Sequence, residues 1–171
     1  MDRMKSIKMA IDNEKSEMAF YNGEAARSKN PVAKALFKTL AEEEKEHMER
    51  IGDLHKKLTA AGSWPEDVPL EVSGTNVTSA LAKVRRDLAS SQEHDDDDIA
   101  ALKKSIDSEA DASKAYAEIA KACNNPKEVA FFKFLAEIEN EHMASLKDSL
   151  AYLEDPESWL EQAGKIGLDG A

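Results

Sequence analysis

Glu14, Glu44 and His47 recur as Glu109, Glu139 and His142 when the 171-residue chain is laid over itself with a shift of 95 positions. Each set is a lone Glu followed about thirty residues later by a Glu-x-x-His. If the segments are helical, the second Glu and the His lie one turn apart on one face. Two sets facing each other would bring four carboxylates and two imidazoles to one point, which is the outline of a two-metal site in a helix bundle. The charges then cancel: four carboxylates carry −4, two M(II) ions carry +4, and imidazoles bind in their neutral form. An oxygen-rich, partly nitrogen donor set suits two iron ions first, with manganese as the alternative, better than zinc or magnesium. Glu44 and Glu139, next to their histidines, are placed to bridge both ions. Glu14 and Glu109 would be terminal ligands, and His47 and His142 would each hold one ion.

The repeat extends beyond the ligands. It aligns Tyr21 with Tyr116, Asn30-Pro31 with Asn125-Pro126, Leu40-Ala41-Glu42 with Leu135-Ala136-Glu137, Glu46-His47-Met48 with Glu141-His142-Met143, and Trp64 with Trp159. The repeated unit is a helical hairpin. Periodicity predicts helices over about Arg3 to Ser28, Pro31 to Gly62, the Asp95 to Asp98 run to Cys123, and Pro126 to Leu153, with Pro31 and Pro126 suited to a first turn and Gly62 to a helix end. Short links at Asn30 and at Asn124-Asn125 make each half an antiparallel pair, whereas some thirty residues separate the halves. The expected fold is therefore all-α: a ferritin-like four-helix bundle, a duplicated hairpin with a long crossover between helices 2 and 3. It would occupy residues 1–153, the crossover (62–94) carrying a short amphipathic helix with Val77, Leu81, Val84 and Leu88 on its stripe, and residues 154–171 forming a short C-terminal helix and tail.

On an alternating three-four spacing, the inward positions of helix 1 are Ile7, Ile11, Glu14, Met18, Tyr21 and Ala25. The corresponding seam of helix 2 contains Phe37, Leu40, Glu44, His47, Ile51, Leu54 and Leu58. Helices 3 and 4 give Ile99, Leu102, Ile106, Glu109, Ser113, Tyr116 and Ala120, then Phe132, Leu135, Glu139, His142, Leu146, Ser149 and Leu153. All six ligands fall on the apolar seam. Burying an unpaired carboxylate costs several kcal/mol even after relaxation, so four of them would rival a domain's whole stability of about 5–15 kcal/mol. Cations at that point resolve the conflict.

Hydrophobic residues make up 42% of the chain and aromatics 6%, enough for one ordinary helical core. A formal charge of −11 disfavours nucleic acid and anionic membrane surfaces. Cys123, the only cysteine, can form neither an internal disulfide nor a four-cysteine metal centre. No apolar run approaches a membrane span and the start carries no signal-peptide core, so the expected location is cytoplasmic. Several residues read as structural: Glu42, Glu43, Glu46, Glu137 and Glu141 as solvated-face charges, Met48 and Met143 as core filler, Cys123 as a small buried hydrophobe, and the Asp run as a helix cap rather than a calcium loop. His55 and His94 have no repeat partner. Tyr21 and Tyr116 read as core aromatics with bonded hydroxyls or as supporting contacts to the metal ligands.

Glu14 followed by Tyr21, and Leu-Ala-Glu-Glu-Glu-Lys-Glu-His at 40–47 repeated in weakened form, resemble the rubrerythrin branch of the ferritin-like di-iron superfamily over about residues 5 to 153. The resemblance implies a non-haem di-iron centre on Glu14, Glu44, His47, Glu109, Glu139 and His142, often in a homodimer, that reduces hydrogen peroxide or oxygen. Rubrerythrins usually carry a four-cysteine rubredoxin-like domain; with one cysteine here, electrons are expected from a separate donor protein. They also carry an extra Glu three residues after the lone Glu of the second half, where this chain has Ala112. The corresponding place in the first half is Glu17, an extra ligand or proton relay, with a solvent-facing carboxylate as the alternative. Three functions fit the residues: a peroxide- or oxygen-reducing enzyme, a ferroxidase that sequesters iron, and a non-catalytic metal-binding protein.

Overall fold

Local capping sets where three of the four long helices start. The computed structural model describes residues 2–65, 96–159 and 161. Among them four long helices carry the fold: α1 (Arg3–Arg27), α2 (Pro31–Ala61), α3 (Asp96–Ala122) and α4 (Pro126–Glu154). Asp2 caps α1 by accepting from the amides of Met4 and Lys5. Asn30 and Asn125 do the same for the second and third residues of α2 and α4, with proline in the first turn of each, where its missing N–H costs nothing. Gly62 closes α2 at φ 68°, a left-handed conformation that glycine adopts without penalty. Residues 156–159 add a further helical turn after α4.

Within each hairpin the two helices touch along their length, and the hairpins meet through α2 with α4 and α1 with α3. Arg3, at the start of α1, pairs with Glu128 at the start of α4, 3.3 Å away. At the opposite end, Asp98 in the first turn of α3 is fully buried and accepts from Ser28 Oγ at 2.8 Å and the Asn30 amide at 3.2 Å. Thus α3 begins where α2 begins, and α2 ends at the other end of the bundle, some 31 residues or about 45 Å away. That is the crossover topology expected from the sequence. The crossover helix with Val77, Leu81, Val84 and Leu88, together with His94, Asp95 and most of the tail, lies outside the described residues. The acidic run differs from expectation in detail: Asp96 to Asp98 form the first turn of α3, and Asp98 buttresses the turn of the other hairpin.

The apolar core is divided in two. One cluster holds Ile7, Ile51, Leu54, Leu58, Tyr116, Phe131, Phe132 and Leu135, with Trp64 against Phe131. The other holds Tyr21, Leu36, Phe37, Leu40, Leu102, Leu146 and Leu153, with Trp159 edge-on to Tyr152. A layer of buried charged residues separates them, flanked on both sides by side chains worth roughly 1.5–3 kcal/mol each on burial. The expected seams of α2 and α4 are buried throughout. In α1 the buried stripe runs Ile7, Ala10, Glu14, Glu17, Tyr21, so Ala10 and Glu17 take the places expected for Ile11 and Met18, which are half-buried. Met48, Met143 and Cys123 are likewise half-buried rather than core.

Candidate metal centre

All six sequence-selected residues converge in the polar layer. Glu14, Glu44, Glu109 and His142 are 0% exposed, Glu139 1% and His47 3%. Three groups have ligand atoms within 4.8 Å of one another: Glu44, His47 and His142; Glu44, Glu109, Glu139 and His142; and Glu14, Glu17 and Glu139. Each helix supplies one carboxylate at this level, and α2 and α4 add a histidine one turn on. The two imidazoles stack with centroids 5.5 Å apart. Nδ1 of His47 lies 3.1 Å from Glu44 Oε2 and 3.3 Å from Glu14 Oε2. Nδ1 of His142 lies 3.0 Å from Glu44 Oε1 and 3.5 Å from Glu139 Oε2.

The tyrosines tie the hairpins together in a crossed pattern. Tyr116 Oη on α3 donates to Glu14 Oε1 on α1 at 2.7 Å, and Tyr21 Oη on α1 donates to Glu109 Oε1 on α3 in a short bond. Both are therefore supports of the lone carboxylates as well as core aromatics. Glu17 is 5% exposed, so the solvent-facing alternative is excluded. It accepts from Asn13 Nδ2 at 2.8 Å and from the exposed Ser108 Oγ at 3.3 Å, and Asn13 also donates to Tyr116 Oη at 3.4 Å.

Charge crowding is visible in the proton affinities. Burial, with Glu44 adding to it and His47 opposing, pushes Glu14 up to about 7. Burial and the charges of Glu109, Glu44 and Glu14 push Glu17 up to about 10. Burial and Glu14 raise Glu139 well above the carboxylate range. Glu44 goes the other way: burial pushes it up, but His142 and His47 together hold it well below its ordinary value. Burial lowers His47, yet its bonds to Glu14 and Glu44 carry it to about 9, and His142 is raised well above its usual value by Glu44, Glu109, Glu139 and Glu43 against burial. Burial lifts both tyrosines far above 10. Too few positive charges serve too many carboxylates, and protons make up the difference.

Even so, Glu14 Oε2, Glu44 Oε1, Glu109 Oε2, Glu139 Oε2 and His142 Nδ1 are buried without a well-aligned hydrogen bond, His142 Nδ1 and Glu44 Oε1 included although they lie 3.0 Å apart. A buried polar atom so placed costs about 1–3 kcal/mol. Five such atoms, on residues whose ligand atoms fall into the three clusters above, fit a pair of cations, whose ligands must be unprotonated and unshared. The donor chemistry agrees: carboxylate oxygen with imidazole nitrogen and no sulfur.

One contributor escaped the sequence reading. Glu43, expected on the solvated face, has its side chain only 12% exposed and its Oε2 3.2 Å from His142 Nε2, on the side of the ring away from the cluster. Glu42, Glu137 and Glu141 are exposed as expected. Its repeat counterpart, Ile138, is the signal that marks the position as inward.

Fold and site together define a four-helix bundle with a histidine–carboxylate centre at its middle. A family model described as rubrerythrin matches residues 5–150 and, in a second match, residues 100–166. The chain belongs to the rubrerythrin family, whose members are in general oxidoreductases built on a di-iron centre. Comparison with curated proteins and with solved structures finds no significant match.

Proposed function

We propose that this protein is a cytoplasmic non-haem di-iron oxidoreductase that reduces hydrogen peroxide, with oxygen as the alternative oxidant, using electrons from a separate donor protein. The observation that carries this reading is the set of five orphaned ligand atoms among six buried residues. Glu14, Glu44, His47, Glu109, Glu139 and His142 are the proposed ligands. Glu44, Glu139 and His142 each belong to two of the three clusters, and of these only the carboxylates have two oxygens to share between two ions, which supports a bridging role for Glu44 and Glu139. Two iron ions held there would supply the two electrons for H2O2 + 2 e− + 2 H+ → 2 H2O. The single cysteine among these 171 residues cannot build a four-cysteine electron entry site within them.

The chain's own residues handle position and protons. Tyr21 and Tyr116 fix the lone carboxylates by one oxygen each and leave the other oxygen for a cation. The two apolar clusters keep bulk water from the layer. Glu17, within ligand reach of Glu14 and Glu139, either adds a carboxylate to the centre or holds a proton on its carboxyl for the departing oxygen, and exposed Ser108 and half-exposed Asn13 connect it to solvent. Its burial favours peroxide reduction over the iron-storage reading, for which a symmetrical six-ligand centre would suffice. No described helix is long and apolar enough to cross a membrane.

The test is anaerobic: reduced, iron-loaded protein should consume one peroxide per two iron ions, and Glu44→Ala or Glu139→Ala should abolish this. Unchanged turnover in both variants overturns the assignment. A solution mass of two subunits accompanies the redox reading, and a cage of many subunits would instead indicate iron storage.

A further inference from the structure

The two halves supply the same ligand types yet differ beside them. Glu43 in the first half has Ile138 as its counterpart at the 95-residue offset. Glu43 reaches from α2 to the far nitrogen of His142 on α4, 3.2 Å from Nε2. An ionised carboxylate only accepts, so in the neutral ring that a metal needs this contact keeps the single proton on Nε2 and leaves the lone pair on Nδ1. That Nδ1 is the atom turned into the cluster, near Glu44, Glu139 and Glu109 and without a hydrogen-bond partner. His142 is thus held in the tautomer and ring orientation that a metal requires. His47 has no such support from the equivalent position, because Ile138 is aliphatic and packed into the apolar cluster. Its Nδ1 is engaged instead by Glu44 Oε2 at 3.1 Å.

Resting on the two-metal reading above, we propose that Glu43 is a positioning residue that makes the two metal positions unequal. The position served by Glu44, Glu109, Glu139 and His142 binds first and more tightly, and the position served by His47 fills second. A carboxylate behind a ligating histidine raises its basicity and fixes its aim, and losing it typically weakens a metal site roughly 10- to 100-fold.

Anaerobic titration of chelator-stripped protein with Co(II), followed by the visible ligand-field bands, reads the two steps separately. The unsubstituted protein should take up two equivalents in two resolved steps. Glu43→Ala should weaken the first step roughly 10- to 100-fold and leave the second in place, and Glu43→Gln, whose amide oxygen can still accept from Nε2–H, should recover part of the loss. His47→Ala should remove the second step and keep the first. Helix content by circular dichroism confirms that each variant is folded. Two indistinguishable steps in the unsubstituted protein, or a first step unmoved by Glu43→Ala, overturns the proposal while leaving the two-metal reading intact. Uptake of fewer than two ions by the folded, unsubstituted protein overturns both.

Discussion

Glu14→Gln should stabilise the metal-stripped protein at alkaline pH and weaken the metal-loaded one. Glu14 is fully buried, and its carboxyl is pushed from 4.5 to about 7 by burial. An unfolded chain releases this proton near 4.5, so between 4.5 and about 7 the folded state retains a proton that the unfolded state has lost. The contribution of the group to stability is complete below 4.5 and is lost as pH rises through about 7. His47 acts in the same sense: its contribution is complete below 6.5 and lost through about 9, and part of its shift comes from Glu14 itself. With about 1.4 kcal/mol per tenfold change in proton affinity, the Glu14 span is worth at most about 3.5 kcal/mol. Because Glu14 shares protons with Glu44 and His47, we expect roughly half, about 1.5 kcal/mol. Glutamine cannot ionise, and its carbonyl oxygen can still accept from Tyr116. For a chain of this size that amounts to a Tm shift of roughly 3–6 °C.

Thermal unfolding by circular dichroism after chelation, at pH 5.5 and pH 8.5, measures it. Because pH 5.5 already lies inside the window, the Tm of Glu14→Gln relative to the unsubstituted protein should rise by about 2–4 °C between the two pH values and be positive at the higher one. With divalent metal at a hundred times Kd, the unsubstituted protein should gain about 2.7 kcal/mol and the variant clearly less. A variant that melts below the unsubstituted protein at pH 8.5 without metal, or a difference that does not change with pH, refutes the argument that carboxylate crowding is a burden relieved by cations.

Tyr21→Phe removes the hydroxyl that donates to Glu109, whose other oxygen already has no partner, and should cost about 1–3 kcal/mol in urea unfolding of the metal-stripped protein. Metal titration should still show two equivalents. Asp98→Ala deprives the Ser28 hydroxyl and the Asn30 amide of their buried acceptor and should destabilise by about 1.5–3 kcal/mol, with Asp98→Asn milder and metal uptake unchanged in both.

The converging residues were readable from sequence because two periodicities agree on them: the helical repeat puts Glu44, His47, Glu139 and His142 on apolar seams, and the 95-residue repeat supplies each with a counterpart. Helix boundaries followed from Asn-Pro pairs and Gly62, whose conformational preferences are local. Glu43 and Ala10 were harder. A helix in a four-helix bundle touches two neighbours, so its buried face is wider than a single seam, and the position beside a seam residue can be inward as well. Glu43 sits in a run of acids that reads as solvated surface, yet it faces α4. In α1, Ile7 and Ala10 fit a three-four alternation as well as Ile7 and Ile11 do, and only packing against the neighbouring helices selects the phase. The repeat holds a clue to both carboxylates: Ala112 opposite Glu17 and Ile138 opposite Glu43 are apolar.

The crossed tyrosine bonds have an ancestral implication. A chain half this long would own three of the six donors and a hydroxyl whose acceptor carboxylate belongs to the other copy. Only a pair of such chains would bring the six donors together, and identical partners could not differ between the two proposed metal positions. In one chain that carries both halves a change in one half need not appear in the other, and the acids at 17 and 43, opposite Ala112 and Ile138, are differences of that kind.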